Sequence, residues 1–239
     1  MFNLPDSYKV DVSINLKDFI PKDLKPNDKK RIKDIVKTVK LENQISGEEI
    51  PSVINEEYHC QVIQFYDIEV NNIKDANYLV NIYQSLIKPL CVMRLHDTKD
   101  ELYSLALKRL SQVDEMQVIV EQNLITDKYM LGVPDSNRDR FLQYMNFNQL
   151  KNRVDKVQIY WEWFYKAYLI MNEKAYLQTD RLLNGNSWYD AGRMTRLYKE
   201  YRNLVMARDS LKKASTNAER IKINKDIRSE IHILDSEVE

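Results

Sequence analysis

The sequence contains few of the residues that interrupt regular structure: 4 glycines and 6 prolines among 239 residues. A β-sandwich with many tight turns needs more of both, so the composition argues against this class and favours long helices. Cysteine is also scarce. Cys60 and Cys91 both lie in apolar runs, and because no secretory leader precedes them, they are predicted to be buried thiols rather than a disulfide.

Long apolar runs and an excess of charge of one sign are absent as well. No segment approaches the roughly 20 apolar residues that span a bilayer, and the start of the chain lacks the basic and apolar stretch of a leader peptide. The 36 basic residues balance the 36 acidic residues, so overall charge predicts no affinity for nucleic acid. We therefore expect a cytoplasmic protein without a membrane segment.

Motifs that would indicate a known chemistry are missing too. The chain has no Gly-x-Gly-x-x-Gly, no Walker loop and no Gly-x-Ser-x-Gly, so nucleotide binding and acyl transfer have no local support. The three histidines, His59, His96 and His232, share no ligand spacing, and no Cys-x-x-Cys accompanies them. Hence the sequence predicts no metal site of the zinc type and no cofactor.

The first 131 residues carry a mixture of strand and helix patterns. Period-two alternation and β-branched residues indicate strands, and apolar residues at helical spacing indicate helices. Residues 102–110 are compatible with a second hairpin strand or a helix. In chain order the predicted elements are a strand at 10–20, a helix at 28–41, a strand at 58–70, a helix at 75–86, a strand at 89–95, the ambiguous element, and a strand at 116–125.

Residues 137–184 read as helical, with a short helix at 141–150 and a long one at 152–183. The long helix holds an aromatic run in which Trp161, Phe164 and Tyr168 recur at helical spacing. Such a stripe is typical of a buried core rather than of a base-stacking surface, so these three rings are predicted to be buried. Trp163 is predicted to point away from the stripe and to be partly exposed.

The last segment, residues 193–239, has the spacing of a coiled-coil seam or a two-helix hairpin. The regular spacing of its apolar residues breaks between Arg208 and Ser215. Thr216 and Glu219 then form the Thr-x-x-Glu pattern of a capping box, which begins a new helix. We therefore predict a turn near residues 214–217. A hairpin buries both apolar stripes within one chain, so the seam does not require a second copy, and the oligomeric state stays open.

Taken together, these patterns predict an α+β fold. A mixed β-sheet with flanking helices occupies residues 1–131, a helical segment follows at 137–184, and residues 193–239 form a helical hairpin or a short coiled coil.

Two carboxylates on one predicted strand are candidates for chemistry. Asp67 and Glu69 are two residues apart and would share a face of the strand. Together with Glu121 as a third ligand and Lys108 as a polarising cation, they would form the site of a divergent Mg²⁺-dependent nuclease. The alternative is a solvated face on which Asp67 and Glu69 pair with lysines. No Glu-x-Lys lies on an adjacent strand, so no catalytic residue is assigned and Mg²⁺ is expected only under the nuclease hypothesis.

Basic residues are concentrated in the last segment. A basic helical pair would contact phosphates or a protein partner, whereas the alternative is a solvated flank whose charges pair with Glu and Asp. The candidate binding residues are Arg193, Arg196, Arg202, Lys212, Lys213, Lys222 and Lys225.

Several short motifs occur in a shared order with those of a known family. They are Phe-Asn-Leu-Pro at 2–5, Phe-Ile-Pro-Lys at 19–22, Gln-Phe-Tyr-Asp-Ile-Glu-Val at 64–70, Leu-Cys-Val-Met-Arg at 90–94 and a lysine-rich ending at 211–231. In these the chain resembles a bacterial domain family of unknown function, often encoded beside DNA methyltransferases and helicases in restriction-like and phage-defence gene clusters. The resemblance implies a context and carries no activity.

From this context and the missing catalytic motif, we expect a non-catalytic accessory or adaptor subunit of a bacterial anti-phage defence or restriction-like complex. The resemblance implies a protein partner such as a helicase or a DNA methyltransferase. The Mg²⁺-dependent nuclease and a DNA-binding module that uses the basic helices are kept as alternatives.

Overall fold

The computed structural model describes residues 1–22, 24–113 and 117–238. Met116, predicted to begin a strand, and Glu239, predicted to end the hairpin, lie outside these residues. The chain forms two compact units, residues 1–164 and 165–239. The predicted α+β class is confirmed, because strands dominate the N-terminal half and helices the C-terminal half. The three-part division into domains stays a prediction.

The secondary-structure elements have the following bounds. The strands are β1 Lys9–Ile14, β2 Val36–Ile45, β3 Val53–Ile54, β4 His59–Cys60, β5 Ile63–Val70, β6 Leu90–His96, β7 Asp100–Leu110, β8 Val118–Ile125 and β9 Tyr129–Met130. The α-helices are α1 Leu16–Phe19, α2 Pro26–Ile35, α3 Ala76–Leu86, α4 Ser136–Met145, α5 Lys156–Met171, α6 Thr179–Asn184, α7 Ala191–Lys213 and α8 Asn217–Val238. None of the described helices has both the length and the apolar character that crossing a membrane demands.

The first unit is built on a mixed sheet. Its strand order is β1-β2-β5-β6-β7-β8, with β9 beside β7, and β3 pairs with β4 in a separate ribbon. Strands β5 and β6 are parallel, and the other neighbours are antiparallel. A parallel pair needs a crossover connection, which α3 supplies. Residues 102–110 therefore belong to a hairpin strand, one of the two possibilities that the sequence left open.

One face of the sheet packs against α2 and α3. Ile68, Met93 and Leu95 belong to an apolar cluster that includes Ile32 of α2 and Leu79 of α3. Since successive strand residues point to opposite faces, the residues between them point to the other side of the sheet.

The second face of the sheet is covered by aromatic rings. Phe65 makes edge contacts with Phe2 and Trp163 at centroid distances of 6.1 and 5.5 Å. Trp163 is 0% exposed, and its Nε1 donates to the carbonyl of Met145 at 2.8 Å. The prediction that Trp163 is partly exposed was wrong. Trp163 lies outside the predicted apolar stripe of α5, but its ring packs against Phe65 in the core. Trp161, predicted to be buried, is half-buried.

The predicted helix at 28–41 was wrong in its second half. Helix α2 ends at Ile35, and β2 begins at Val36. The β-branched residues Val36, Thr38 and Val39 lose side-chain freedom in a helix and pack well on a pleated surface. Val39 lies opposite Ile68 of β5, so pairing with a distant strand prevails over the local helical spacing.

The second unit contains the predicted helical hairpin. Helix α7 ends at Lys213 and α8 begins at Asn217. Thr216 and Glu219 form the capping box: the Glu219 amide donates to Thr216 Oγ1 at 3.2 Å, and the Thr216 amide donates to Glu219 Oε2 at 3.1 Å. The predicted turn is confirmed. The predicted helix at 152–183 is instead divided, because α5 ends at Met171 and α6 begins at Thr179.

Where the backbone hydrogen bonds between β6 and β7 end, the side chain of Tyr160 connects the two strands. Their ladder runs from Met93 opposite Ser104 to His96 opposite Glu101. Next to it, the hydroxyl of Tyr160 accepts from the Ala106 amide at 2.9 Å and donates to the Cys91 carbonyl at 2.8 Å. Helix α5 thus supplies the bridge that backbone groups would otherwise form.

A buried lysine fixes the loop between β2 and β3. Lys156 is 0% exposed. Its Nζ donates to the carbonyls of Gly47, at 2.8 Å, and Ile50, and to the hydroxyl of Ser52 at 3.1 Å. The first turn of α5 therefore holds this loop through three hydrogen bonds to one ammonium group.

We expect Lys156→Met to lower the free energy of unfolding by about 2–3 kcal/mol, because the buried carbonyl of Ile50 and the carbonyl of Gly47 lose their donor. Urea unfolding followed by circular dichroism measures this change. The matched control is Lys33→Met on the exposed side of α2, for which we expect a change within about 0.5 kcal/mol. Equal stability of the two variants would contradict the role of Lys156.

Candidate functional site

The two carboxylates predicted on a strand both lie on the second face of β5, and each has a basic partner. Asp67 contacts Arg94 Nη1 through Oδ1 at 3.0 Å and His96 Nε2 through Oδ2 at 3.3 Å. Glu69 accepts from Lys37 Nζ at 3.1 Å. Arg94 and His96 come from the neighbouring parallel strand β6, where they lie opposite Asp67 and Glu69.

The other two members of the predicted nuclease site lie elsewhere. Glu121 is on β8, which β6 and β7 separate from β5, and it accepts from Arg109 Nε at 2.7 Å. Lys108 Nζ donates to Cys91 Sγ at 3.4 Å, which places Lys108 on the face that packs against α3, opposite to Asp67. The four candidates therefore do not come together. Within residues 1–22, 24–113 and 117–238, no three potential ligands are grouped to hold a metal ion.

The structure instead assembles a group of charges that we call the cross-strand cluster: Asp67, Arg94, His96, Glu101 and Arg138. Its centre is Glu101, which is 0% exposed. One carboxylate oxygen accepts from Arg94 Nε at 2.6 Å, and the other accepts from Arg138 Nε. A buried carboxylate is tolerated when cations and hydrogen bonds compensate its desolvation, and two guanidinium groups do so here.

Local turns bring the cluster together at one end of the sheet. The Asp97 carboxylate accepts from the amides of Lys99 and Asp100, which closes the tight turn between β6 and β7. Its second oxygen accepts from the Ile73 amide at 3.0 Å, ahead of α3. Arg138 enters in the first turn of α4, whose N-cap is Asp135.

Electrostatic coupling in the cluster favours the charged forms. Burial alone would raise the pKa of Asp67, but His96 and Arg94 outweigh it and lower this pKa. The hydrogen bond with Asp67 raises the pKa of His96, although burial opposes it. Both ring nitrogens of His96 face acceptors, since Nδ1 lies 3.4 Å from the Asp97 carbonyl. An imidazolium that donates from both nitrogens fits this geometry.

The cluster was missed in the sequence, although part of it had a signal. Arg94 and His96 alternate with apolar residues along β6, as Asp67 and Glu69 do along β5. Period-two alternation on two neighbouring strands would have predicted that these charges share a face. Glu101 and Arg138 carried no such signal, because only tertiary packing brings these two residues, which are far apart in the sequence, into contact.

The basic residues predicted in the last segment are only partly available for binding. Arg193 and Arg196 both pair with Glu237, at 3.6 and 2.8 Å, and Lys212 pairs with Asp209 at 2.8 Å. Burial would raise the pKa of Glu237, but Ser187 and the two arginines lower it. The remaining candidates are exposed: Arg202, Lys213, Lys222 and Lys225.

The outer half of the hairpin, residues 205–226, forms a surface that we call the hairpin tip. The buried residues of α7 end at Leu204 and those of α8 begin at Ile227, so no side chain of the tip is buried. Two apolar side chains stand out, Met206 at 55% and Ile221 at 72% exposure. Six basic residues outnumber three acidic ones. The tip therefore combines exposed apolar groups with positive charge.

A family model described as a domain of unknown function (DUF4391) matches residues 2–230. No curated protein matches the chain, and no solved structure matches it.

The cluster predicts a specific dependence of stability on pH. The pKa of His96 is higher in the folded chain than in the unfolded chain, where it is about 6.5. The ion pair therefore contributes fully below the unfolded pKa, and its contribution is lost as the pH rises through the folded pKa. In urea unfolding between about pH 5.5 and 9, wild type should lose stability relative to His96→Gln, on the order of 0.5–1 kcal/mol.

His232→Gln is the matched control, because His232 is exposed on α8, and its unfolding free energy should follow that of wild type at every pH. A wild-type advantage over His96→Gln that grows as the pH rises would contradict the assignment.

Proposed function

The chain belongs to the DUF4391 family of domains of unknown function, and we propose that it is a non-catalytic accessory or adaptor subunit that acts through protein–protein contacts. The observation that supports this proposal is the hairpin tip, in which Met206 and Ile221 are exposed among lysines. Protein interfaces combine apolar anchors at the centre with a polar rim, and the tip offers both kinds of group.

The composition of the tip favours a protein partner over a phosphate backbone. Exposed methionine and isoleucine have no role in phosphate contacts, whereas methionine adapts to apolar partner surfaces. Arg193, Arg196 and Lys212 are held by acidic side chains of their own unit, which reduces the charge available to DNA. The excess of basic residues in the tip suits a partner surface that carries acidic residues around an apolar patch.

The first unit supports a non-catalytic role in a different way. The carboxylates Asp67 and Glu121 lie on strands separated by two others, and Lys108 lies on the opposite face from Asp67. In the cross-strand cluster each carboxylate has a cationic partner. Charges that neutralise one another in this way leave little charge for a substrate, and removing one partner would leave the other buried and uncompensated. The nuclease hypothesis gains no support from this arrangement.

The proposed setting follows from the family resemblance. A bacterial anti-phage defence or restriction-like complex in the cytoplasm would provide the partner, and a helicase or a DNA methyltransferase encoded beside this chain is the candidate. The hairpin tip would dock on that protein.

A second candidate function is DNA binding by the hairpin. The exposure of Lys213, Lys222 and Lys225 favours it. Binding of this kind would weaken steeply with salt, because each phosphate contact releases counterions.

We expect the full chain to co-elute in size-exclusion chromatography with one of the neighbouring gene products. The double substitution Met206→Glu with Ile221→Glu should weaken this association at least about tenfold, because it places charge at the apolar centre of the interface. The matched control is Ile54→Glu with Met130→Glu, which changes the same residue types at exposed positions outside the tip. This control should bind as wild type.

Circular dichroism should show that both double variants fold. Association that survives the tip substitutions, or no association with any neighbouring product, would contradict the adaptor proposal. If the chain instead binds duplex DNA and loses it in Lys222→Gln with Lys225→Gln, the second candidate replaces the first.

A further inference from the structure

Two glutamates lie in the apolar seam between α7 and α8. Glu200 of α7 lies three residues after one buried leucine and four residues before another, and Glu230 of α8 has the same spacing to two buried residues of its own helix. Because residues three and four apart lie on one face of a helix, both glutamates belong to the seam. The four buried residues are Leu197 and Leu204 of α7 and Ile227 and Leu234 of α8.

The hairpin places these two glutamates opposite each other, and we call them the glutamate pair. Glu200 lies 13 residues before Lys213, the last residue of α7, and Glu230 lies 13 residues after Asn217, the first residue of α8. Their carboxyl groups are close enough to share a hydrogen bond. Since an ionised carboxylate offers only acceptors, this contact needs a proton on one of the two groups.

The groups around the glutamate pair leave its charge uncompensated. Asn203 of α7 donates to Glu200 Oε2 at 3.4 Å. Glu230 Oε2 is buried, and no donor among the described residues reaches it. The charged groups that act most strongly on Glu230 are Glu200 and Asp226, and both are acidic.

The basic and polar partners of α8 lie closer to its C-terminus. Arg193 and Arg196 of α7 pair with Glu237. Helix α6 also packs against α8, and the hydroxyl of Tyr176, ahead of α6, donates to Asp235 at 2.6 Å. These contacts therefore compensate carboxylates other than the glutamate pair.

The proton of the glutamate pair is bound and released near neutral pH. Burial, the hydrogen bond with Glu200 and the negative charges of Glu200 and Asp226 raise the pKa of Glu230 to about 7, although Asn203 opposes them. The physical cause is that two carboxylates in contact do not both ionise without strong repulsion.

The glutamate pair lies at the base of the hairpin tip. One layer of buried residues, Leu204 and Ile227, separates it from residues 205–226. The tip has no buried side chain of its own, so contacts at its base hold its two helices together. Repulsion at this level therefore acts on the part of the hairpin that is easiest to open.

We propose that the glutamate pair makes the closing of the hairpin tip depend on pH. With one proton shared between Glu200 and Glu230, the seam is closed. When this proton is lost, two like charges face each other in the seam and the tip opens more often. An effect of this opening on partner binding rests on the adaptor function proposed above, whereas the opening itself needs no partner.

The direction of the pH dependence follows from proton linkage. The folded chain holds the proton of Glu230 more tightly than the unfolded chain, in which the pKa of glutamate is about 4.3. The stabilisation is therefore complete below the unfolded pKa and is lost as the pH rises through about 7. The tip should be closed in mildly acidic solution and looser above neutral pH.

Amide hydrogen exchange of the full chain measures this opening directly. Exchange rates are divided by those of an unstructured chain at the same pH, which removes the intrinsic effect of pH. In wild type, the protection of amides in the tip should fall about tenfold between about pH 6 and 8. In Glu230→Gln, whose side chain is neutral at both pH values, this protection should stay constant and exceed that of wild type at about pH 8.

The matched control is Glu56→Gln, the same substitution at an exposed position of the first unit, which should behave as wild type. Equal tip protection at both pH values in wild type, or the same fall in Glu230→Gln, would overturn the proposal. A carbon-13 NMR titration of the Glu230 carboxyl in wild type gives a test that needs no variant. A midpoint of about 7 is expected, and a midpoint near the ordinary value of about 4.3 would overturn the proposal.

The adaptor function is tested separately, by the tip substitutions Met206→Glu and Ile221→Glu in the presence of a partner. If a partner binds, its affinity should be lower at about pH 8 than at about pH 6 in wild type and should change less in Glu230→Gln. A chain that binds no partner but shows the fall in tip protection would refute the adaptor function alone. A chain that binds a partner without that fall would refute the role of the glutamate pair alone.

Discussion

The hydroxyl of Tyr160 takes the place of a backbone hydrogen bond between β6 and β7, and the first unit is organised around that bridge. On one side of it the two strands pair directly, from Met93 and Ser104 onward, and the cross-strand cluster lies at that end. On the other side the side chain of Lys108 spans the strands and donates to the carbonyls of Ile87 and Pro89, which precede β6. Because the phenol is fully buried, neither backbone partner can turn to water if the hydroxyl is lost.

The charged residues of the first unit fall into two groups, those with partners of opposite charge and those whose partners are uncharged. In the cross-strand cluster, carboxylates and cations neutralise one another, and Glu101 is held by Arg94 and Arg138. Such a set fixes the geometry of three strands and of α4. Lys108 is held by two carbonyls and a thiol instead, and burial lowers its pKa. In the second unit the contrast repeats: Arg193 and Arg196 are neutralised by Glu237, and the exposed lysines lie in the hairpin tip.

Features with a short-range cause could be predicted from the sequence. The capping box of Thr216 and Glu219 depends on residues three apart, and the shared face of Asp67 and Glu69 follows from the strand period alone. Features set by distant partners could not. Val36 begins a strand because β5 lies beside it, Trp163 is buried because Phe65 and Met145 surround it, and Lys108 faces α3 rather than Asp67. The buried state of Glu101 depends on Arg138, 37 residues away, and no local pattern records that pairing.

The central claim, that the Tyr160 hydroxyl holds β6 and β7 together where they do not pair, is tested most directly by amide hydrogen exchange at Ala106. In wild type this amide should be protected as strongly as that of Leu105, whose strand neighbour is Leu124 of β8. In Tyr160→Phe its protection should fall at least about tenfold, since a single hydrogen bond is lost, while Leu105 keeps its protection. Equal protection of Ala106 in both proteins would contradict the account.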